Sequence, residues 1–295
     1  MKNAGGRLSQ LVRVVAPAGP VNGADLDAGI GVLRGMGLRV EESPHARLRA
    51  GYLAGSDEVR AGDLQAALDD PAVGVVWFAR GGYGTSRILD GLRPDGLRRH
   101  PKTIAGFSDA TLLHAWAQRV AGARLLYAPG VQELGRPGVC EMGSLAAALA
   151  GGPVEIPAQG PPAPAGAYPV VGGCLSLLSV LVGTPWEPAL TERWLFLEDV
   201  GESMYRLDRM MTHLAQAGWF ERAAGILLGG FTGMAEGEHP GLVRERAREL
   251  LGPSKPLLDA LPVGHLKGKF TLPLERPARW NGTTLRVDQG AESRL

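Results

Sequence analysis

Along the chain, short unbroken apolar runs alternate with stretches where apolar side chains return every three or four positions. The first pattern predicts buried strands and the second predicts amphipathic helices. Leu11–Val15, Leu38–Glu42, Val73–Ala79, Lys102–Ala105 and Leu125–Pro129 read as strands. Between them, Asp25–Met36, Val59–Leu68, Ser86–Leu92 and a segment entered at Thr111 and carrying Leu112, Ala115 and Trp116 read as helices. Strand and helix alternate over short connections, so the first half predicts an open parallel α/β sheet with right-handed crossovers. Val73–Ala79 is its most apolar run and is expected at the centre. A helix follows over Met142–Ala150.

Periodicity then fails over 151–169, which is dense in Gly, Pro and Ala apart from a short strand at Val154–Ile156. The pattern predicts three parts: a domain over 1–150, a crossing over 151–169 and a second domain over 170–295. The second opens with Val170–Cys174 and an apolar run over 175–182; Trp194–Asp199 and Ile226–Phe231 read as strands, and a buried strand is expected just before His265. Met204, Leu207, Met210, Met211 and Leu214 trace one helix face, with His213 among core positions, and Leu242–Leu251 is a second amphipathic helix. Ala278–Val287 reads as a hairpin turning at Asn281-Gly282.

Composition narrows the class. In 295 residues, 31 basic and 30 acidic side chains nearly cancel, and the arginines are scattered rather than striped, which argues against a nucleic-acid partner. Cys140 and Cys174 lack metal-ligand spacing, so two reduced thiols and no metal site are expected. Met1 to Ser9 hold no apolar signal core and no run reaches membrane-spanning length. A cytoplasmic protein with no membrane contact is therefore expected.

Two strand-to-helix connections carry candidate chemistry. Gly106-Phe-Ser-Asp-Ala110 places small residues two before and two after Ser108, the spacing that a sharp turn exposing a nucleophile requires. The Asp109 N–H faces the same space at a helix start. The same residues also make an ordinary helix cap. Arg80-Gly-Gly-Tyr-Gly84 follows the preceding strand in the chain, and its amides can cradle an oxyanion. It is neither a P-loop nor a dinucleotide fingerprint, and its glycines also serve simply as a tight connection. Ligands bind along this carboxyl edge of an open sheet.

A serine nucleophile needs a base, and the base needs an orienting acid. His45, His100 and His239 lie in polar or Pro-flanked loops, and His114 is six positions beyond Ser108 on one helix. His265 follows Gly264 in a loop able to reach across to another domain. Glu198 and Asp199 end a strand, and Asp199 or Glu202 also suits a cap for the next helix.

Five segments in order resemble the motifs of the LD-carboxypeptidases, a family of serine peptidases that includes muramoyltetrapeptide carboxypeptidases and microcin-immunity carboxypeptidases. They are Arg80-Gly-Gly-Tyr-Gly84, Gly106-Phe-Ser-Asp109, Val171-Gly-Gly-Cys-Leu175 with Gly183-Thr-Pro-Trp186, Leu197-Glu-Asp-Val-Gly-Glu202, and Gly264-His265 with Thr271-Leu-Pro273. The resemblance runs from Ala16-Pro-Ala-Gly19 to the closing hairpin. It implies a Rossmann-like N-terminal domain, a C-terminal α/β domain with a β-barrel-like sheet, and a homodimer. It also implies a triad of Ser108, His265 and Glu198, with the oxyanion against the N–H groups of Asp109 and Gly82. Arg80 and Tyr83 are candidate substrate contacts, Arg80 by its match to a carboxylate or else as a structural ion pair. No metal or cofactor is implied. Two positions depart from the family pattern: Cys174 replaces a frequent asparagine, and Glu275 follows Leu274 where glycine is frequent.

The implied reaction releases a terminal D-amino acid by cleaving an L-to-D bond, with D-alanine from a murein tetrapeptide as the expected product. Within the family, the alternative is an immunity-type enzyme acting on peptidyl or aminoacyl nucleotides. An aromatic adenine platform on an inserted loop would mark it, and 151–169 offers only Tyr168. Outside the family, a non-catalytic two-domain binding protein or an unrelated α/β amidohydrolase or esterase is compatible with the same residues.

Overall fold

Five strands of the first unit pair in parallel: β1 (Leu11–Val15), β2 (Arg39–Glu42), β3 (Val73–Phe78), β4 (Lys102–Gly106) and β5 (Ala123–Tyr127), in the order β2-β1-β3-β4-β5. The computed structural model describes residues 11–120, 122–161 and 167–289. The chain separates into two units, Met1–Cys140 and Glu141–Leu295. Five helices belong to the first: α1 (Gly23–Gly35), α2 (Asp57–Asp69), α3 (Asp95–Arg99), α4 (Ala110–Val120) and α5 (Val131–Leu134). Every residue of β3 is buried, as a central parallel strand with both faces covered must be. Trp77, Phe78 and Trp116 are fully buried, each contributing roughly 1.5–3 kcal/mol of apolar burial. Asn22 caps α1 by accepting the Asp25 N–H at 3.1 Å, and Ser56 caps α2 by accepting that of Val59.

The strand order reverses between β1 and β3, and the crevice beyond the carboxyl ends at such a reversal is where an open sheet binds ligands. The connection leaving β3 differs from the helix expected over Ser86–Leu92. It holds two short 3-10 turns, Thr85–Arg87 and Leu89–Gly91. Gly84 at φ 138° breaks the path, and the side chains of Arg60 on α2 and of Asp109, just before α4, take the Gly84 carbonyl and the Thr85 N–H. Burial of Ile88, Leu89 and Leu92 then replaces helical hydrogen bonding.

The second unit comprises α6 (Met142–Ala150), β6 (Val154–Pro157), β7 (Tyr168–Cys174), α7 (Leu175–Ser179), β8 (Trp194–Val200), α8 (Met204–Gln216), α9 (Trp219–Arg222), β9 (Gly225–Thr232), α10 (Pro240–Leu251), β10 (Leu257–Leu258), β11 (Leu272–Leu274), β12 (Pro277–Trp280) and β13 (Thr284–Val287). Seven strands form one sheet in the order β10-β9-β8-β7-β12-β13-β6. Strands β7 to β10 are parallel, whereas the β12–β13 hairpin and β6 are antiparallel. Just beyond the two edge strands, Gln159 and Asp259 exchange N–H···O bonds of 2.9 and 2.8 Å, which joins the edges into a barrel-like closure. Within the Gly/Pro-rich stretch 151–169, β6 and the start of β7 belong to this sheet, and 162–166 lie outside the described residues, as do Met1 to Ser9.

Three local expectations are corrected here. His213 is exposed on α8, whose buried stripe is Leu207, Met211 and Leu214, because the helix turns that position away from the sheet. Neither Asp199 nor Glu202 caps α8; its N-cap is Ser203, and the Met204 N–H donates to Glu238 Oε2 at 2.7 Å. The segment before His265 is not a strand. Leu261 and Val263 instead reach β9 through single backbone bonds with Leu228 and Gly230.

Candidate active site

Two groups of predicted residues come together, one within each unit. In the first, β4 ends at Gly106 and the chain turns through Ser108 with φ 59° before α4 starts. A left-handed serine is costly, by about 1–3 kcal/mol, and lifts its side chain out of the strand-to-helix path. The flanks are as tight as their residue types suggest: a Cβ on Gly106 would stand 2.8 Å from the Ala110 Cβ. The Ser108 N–H donates to the Tyr127 hydroxyl at 3.2 Å, which ties the elbow to the end of β5.

The glycine loop presses onto this elbow. A Cβ on Gly81 would lie 2.7 Å from Ser108 Cβ and 2.8 Å from its Oγ, so only glycine allows the approach. The same point is 3.5 Å from the Asp109 nitrogen, which puts the loop and that amide around one space beside the hydroxyl. Asp109 does not cap α4. Its buried carboxylate accepts the Thr85 N–H at 2.9 Å, locking the serine turn to the far end of the glycine loop. Burial raises the Asp109 pKa, an effect that the Thr85 hydrogen bond and the Arg60 charge oppose. Arg80 Nε and Nη1 donate to the carbonyls of Gly81 and Pro20 at 3.0 and 3.1 Å, so its partners here are carbonyls rather than a carboxylate. Tyr83 is exposed.

Arg60 was not singled out by its sequence context, yet it braces these loops. Only 2% exposed, it donates to the carbonyls of Pro17 and Gly84 and to the Asp57 carboxylate. The available signal was its spacing, since position 60 shares a helix face with Leu64, Ala67 and Leu68. His114 is buried on α4, its ring 6.2 Å from that of Tyr127. Desolvation pushes its pKa down to about 4, so it is a neutral packing residue rather than a base at pH 7. Of the loop histidines, His45, His100 and His239 are exposed.

In the second unit, Glu198 is fully buried near the end of β8 and meets the turn that carries His265. Its Oε2 lies 2.8 Å from His265 Nδ1 and accepts the His265 backbone N–H at 2.9 Å. One carboxylate thus fixes both ring and main chain. Gly264, at φ +105°, permits the contact; a Cβ there would fall 2.3 Å from the Glu198 carboxylate. Thr232 Oγ1 donates to the His265 carbonyl at 2.6 Å. The β8–β9 register shifts at this level, with Gly229 and Gly230 on β9 opposite the single residue Glu198 on β8, and the turn settles over those two glycines.

Cys174 lies directly opposite Glu198 in the β7–β8 register. Burial first, and the charges of Glu198 and Asp199 second, push its thiol well above the ordinary range. Asp199 turns the other way from Glu198 and accepts the N–H groups of Ser176 and Val200 at 2.7 and 2.8 Å, which makes it an anchor for α7. Glu275, the second departure, has φ 55° and an ion pair with Arg193 at 3.5 Å. Among the described residues, no three His, Cys, Asp or Glu gather as metal ligands, and no helix is long and apolar enough to cross a membrane.

Comparison with known proteins bears on both units. The pattern of the LD-carboxypeptidase N-terminal domain matches residues 12–128, and that of the LD-carboxypeptidase C-terminal domain matches residues 169–279. The chain belongs to the LD-carboxypeptidase family. It is accordingly a serine-type carboxypeptidase, a hydrolase. The murein tetrapeptide carboxypeptidase of Pseudomonas aeruginosa is 31% identical over 294 residues, 93% of this chain and 94% of that one. A Streptomyces coelicolor relative with a provisional carboxypeptidase name is 38% identical over 303 residues, 95% of this chain and 94% of its own. The crystal structure of muramoyltetrapeptide carboxypeptidase from Oxalobacter formigenes superposes with a TM-score of 0.82 at 28% identity, covering 94% of this chain and 99% of that one. An MccF-like protein from Bacillus anthracis, 23% identical over 95% of this chain and 96% of its own, shares the fold with a TM-score of 0.85.

Proposed function

We propose that this carboxypeptidase removes the terminal D-amino acid of a short murein-type peptide, D-alanine from a tetrapeptide, through a Ser108–His265–Glu198 triad and an acyl-enzyme. The buried Glu198–His265 pair, Nδ1 to Oε2 at 2.8 Å, carries this reading, because it presets the imidazole's tautomer and orientation as a general base needs. The left-handed Ser108 and the close approach of Gly81 support the nucleophile's assignment. So do relatives named for murein tetrapeptide.

In this mechanism the Ser108 oxygen attacks the scissile carbonyl while His265 Nε2 takes its proton. The N–H groups of Asp109 and Gly82 receive the oxyanion, each worth roughly 3–4 kcal/mol in the transition state. Collapse expels the amine of the D-amino acid, which takes the proton from His265. Water, deprotonated by the same imidazole, then cleaves the ester and restores Ser108. Glu198 stabilises the imidazolium in both halves. Arg80 is the candidate for the substrate's terminal carboxylate. The site needs no metal or cofactor. The enzyme works in the cytoplasm as a homodimer on a small peptide, with neither nucleic acid nor membrane as a partner.

The nucleotide-conjugate reading is less well supported. Tyr168, the aromatic offered by 151–169, is only partly exposed and packs edge-on against Trp194 at 6.4 Å. Mass spectrometry of a murein tetrapeptide and a peptidyl-adenylate mimic after incubation with the protein tests the proposal. Free D-alanine should appear from the first, and Ser108→Ala should lower that rate by at least about 10⁴-fold while leaving the fold intact. Near-normal turnover by the variant would remove Ser108 from its role.

A further inference from the structure

Among the largest fully buried side chains of the described residues, Arg60 is the one that carries a charge. Taking a guanidinium out of water is costly unless its donors are met. Its carboxylate partner does not account for the burial. Asp57 is 31% exposed and also takes Arg87, itself 40% exposed, at 2.8 Å, so an arginine at the surface meets it equally well. What only the buried position reaches is a pair of carbonyls from two loops. The N–H bonds of Arg60 Nη1 go to Pro17 O, in the loop after β1, and to Gly84 O, at the far end of the glycine loop, the second at 2.9 Å. A Cβ on Gly84 would stand 2.6 Å from that nitrogen, so the guanidinium occupies space that only glycine leaves.

The Gly84 carbonyl shares one peptide group with the Thr85 N–H. That peptide is trans, so its C=O and N–H point in opposite directions. Arg60 holds the carbonyl side, where the Arg87 N–H also donates at 3.2 Å, and the Asp109 carboxylate accepts the N–H side at 2.9 Å. Thr85 and Asp109 are both fully buried. A chain of guanidinium, peptide and carboxylate therefore runs through a closed interior, where each hydrogen bond polarises and strengthens the next. Asp109 is also the residue whose main-chain N–H is proposed above to receive the oxyanion. Any tilt of the Gly84–Thr85 peptide thus reaches that amide through a single side chain.

Resting on the serine-peptidase reading above, we propose that Arg60 is a positioning residue for the reaction: by gripping the Gly84 carbonyl it fixes the peptide that holds the Asp109 side chain, and through it the direction of the Asp109 N–H. What acts is the planar pair of donors rather than the positive charge, since two carbonyls from different loops must be met at once. Arg60 itself touches neither substrate nor reacting atoms.

The test compares Arg60→Met, Asp109→Ala and the double variant with the parent, thermal unfolding showing that each is folded at the assay temperature. Two rates are read: D-alanine release from a murein tetrapeptide, as kcat and KM, and modification of Ser108 by a fluorophosphonate. The second probe has no terminal carboxylate and sets its phosphoryl oxygen where the substrate's carbonyl oxygen sits in turnover, so it reads the oxyanion site directly. Each single variant should lose about 30-fold in kcat and in labelling rate, with KM within about twofold of the parent's. The double variant should be no slower than the slower single one, because both act through one peptide. Arg60→Lys keeps the charge without the planar fork and should still lose about tenfold; it is read in place of Arg60→Met should that variant not fold. Lowered stability with both rates at the parent's level, losses that multiply in the double variant, or a parental rate in Arg60→Lys would overturn the positioning role. Failure of the peptidase reading shows instead in the unmutated protein. Ser108 labelled without D-alanine release would remove that activity and leave Arg60 to be judged on labelling, whereas no labelling of Ser108 would overturn both.

Discussion

The serine elbow of the first unit and the glutamate–histidine turn of the second are built from different material. Backbone makes the elbow: a strained serine, glycines that admit close approach, and the Asp109 nitrogen close beside the glycine loop. Its charged groups, Arg60 and Asp109, serve as braces. Side chains make the turn, where a buried carboxylate holds an imidazole by one hydrogen bond and that residue's main-chain N–H by another. The elbow should therefore be sensitive to added volume and tolerant of changed charge, and the turn should show the reverse. This contrast follows from the tasks proposed for them: an oxyanion is met by fixed dipoles, whereas a proton needs a group that can change charge.

The largest expected effect breaks the turn by charge alone. Glu198→Gln keeps the shape but offers an amide to Nδ1, and kcat for D-alanine release should fall by about 10⁴-fold with the thermal midpoint little changed. Retention of a tenth of the parent's rate would show that the carboxylate is not the orienting group.

The next concerns pH and the elbow's support. Unfolded, His114 takes its proton near 6.5; folded, burial lowers the value to about 4. The native state therefore refuses a proton that the unfolded state binds, and stability present above pH 6.5 is lost as pH falls towards 4. The loss is about 3 kcal/mol over that window. Urea unfolding at pH 7.5 and 4.5 should show it, and His114→Phe should remove most of the difference. An unchanged difference would assign the acid sensitivity to other groups.

Volume should break the elbow without touching the turn. Gly81→Ala sets a methyl 2.7 Å from Ser108 Cβ. Displacing the loop by that contact should cost about 100-fold in kcat while stability stays near the parent's, as stopped assays and thermal unfolding would measure. Full activity would mean that the loop yields freely and does not define the oxyanion site. The smallest effect expected is at the turn's carbonyl: Thr232→Val removes the 2.6 Å bond to His265 O and should cost about 1 kcal/mol of stability and a few-fold in rate. A stability loss with no change in rate would confine Thr232 to a structural role.

Much of this was legible in the chain. Unbroken apolar runs separated by helical periodicity specify parallel strands with crossovers, because a strand covered on both faces has no polar side to show. The spacing of small residues around Ser108 carried the elbow, since sterics at a sharp turn are local. Ser86–Leu92 misled because its apolar spacing suits a helix, while the hydrogen bonds that break it come from Arg60 and Asp109, distant in sequence. His213 misled for a related reason: periodicity assigns a stripe, but the sheet a helix packs on decides where the stripe ends.

The sequence by itself determined the alternation of elements, the small-residue turns and the identity of the groups able to do acid–base chemistry, all of which depend on neighbours a few residues away. Tertiary structure alone decided that a carboxylate at 198 meets an imidazole at 265 and that an arginine at 60 braces loops after two different strands. Those pairings depend on strand order and register, which arise from long-range packing and leave no periodic trace in the chain.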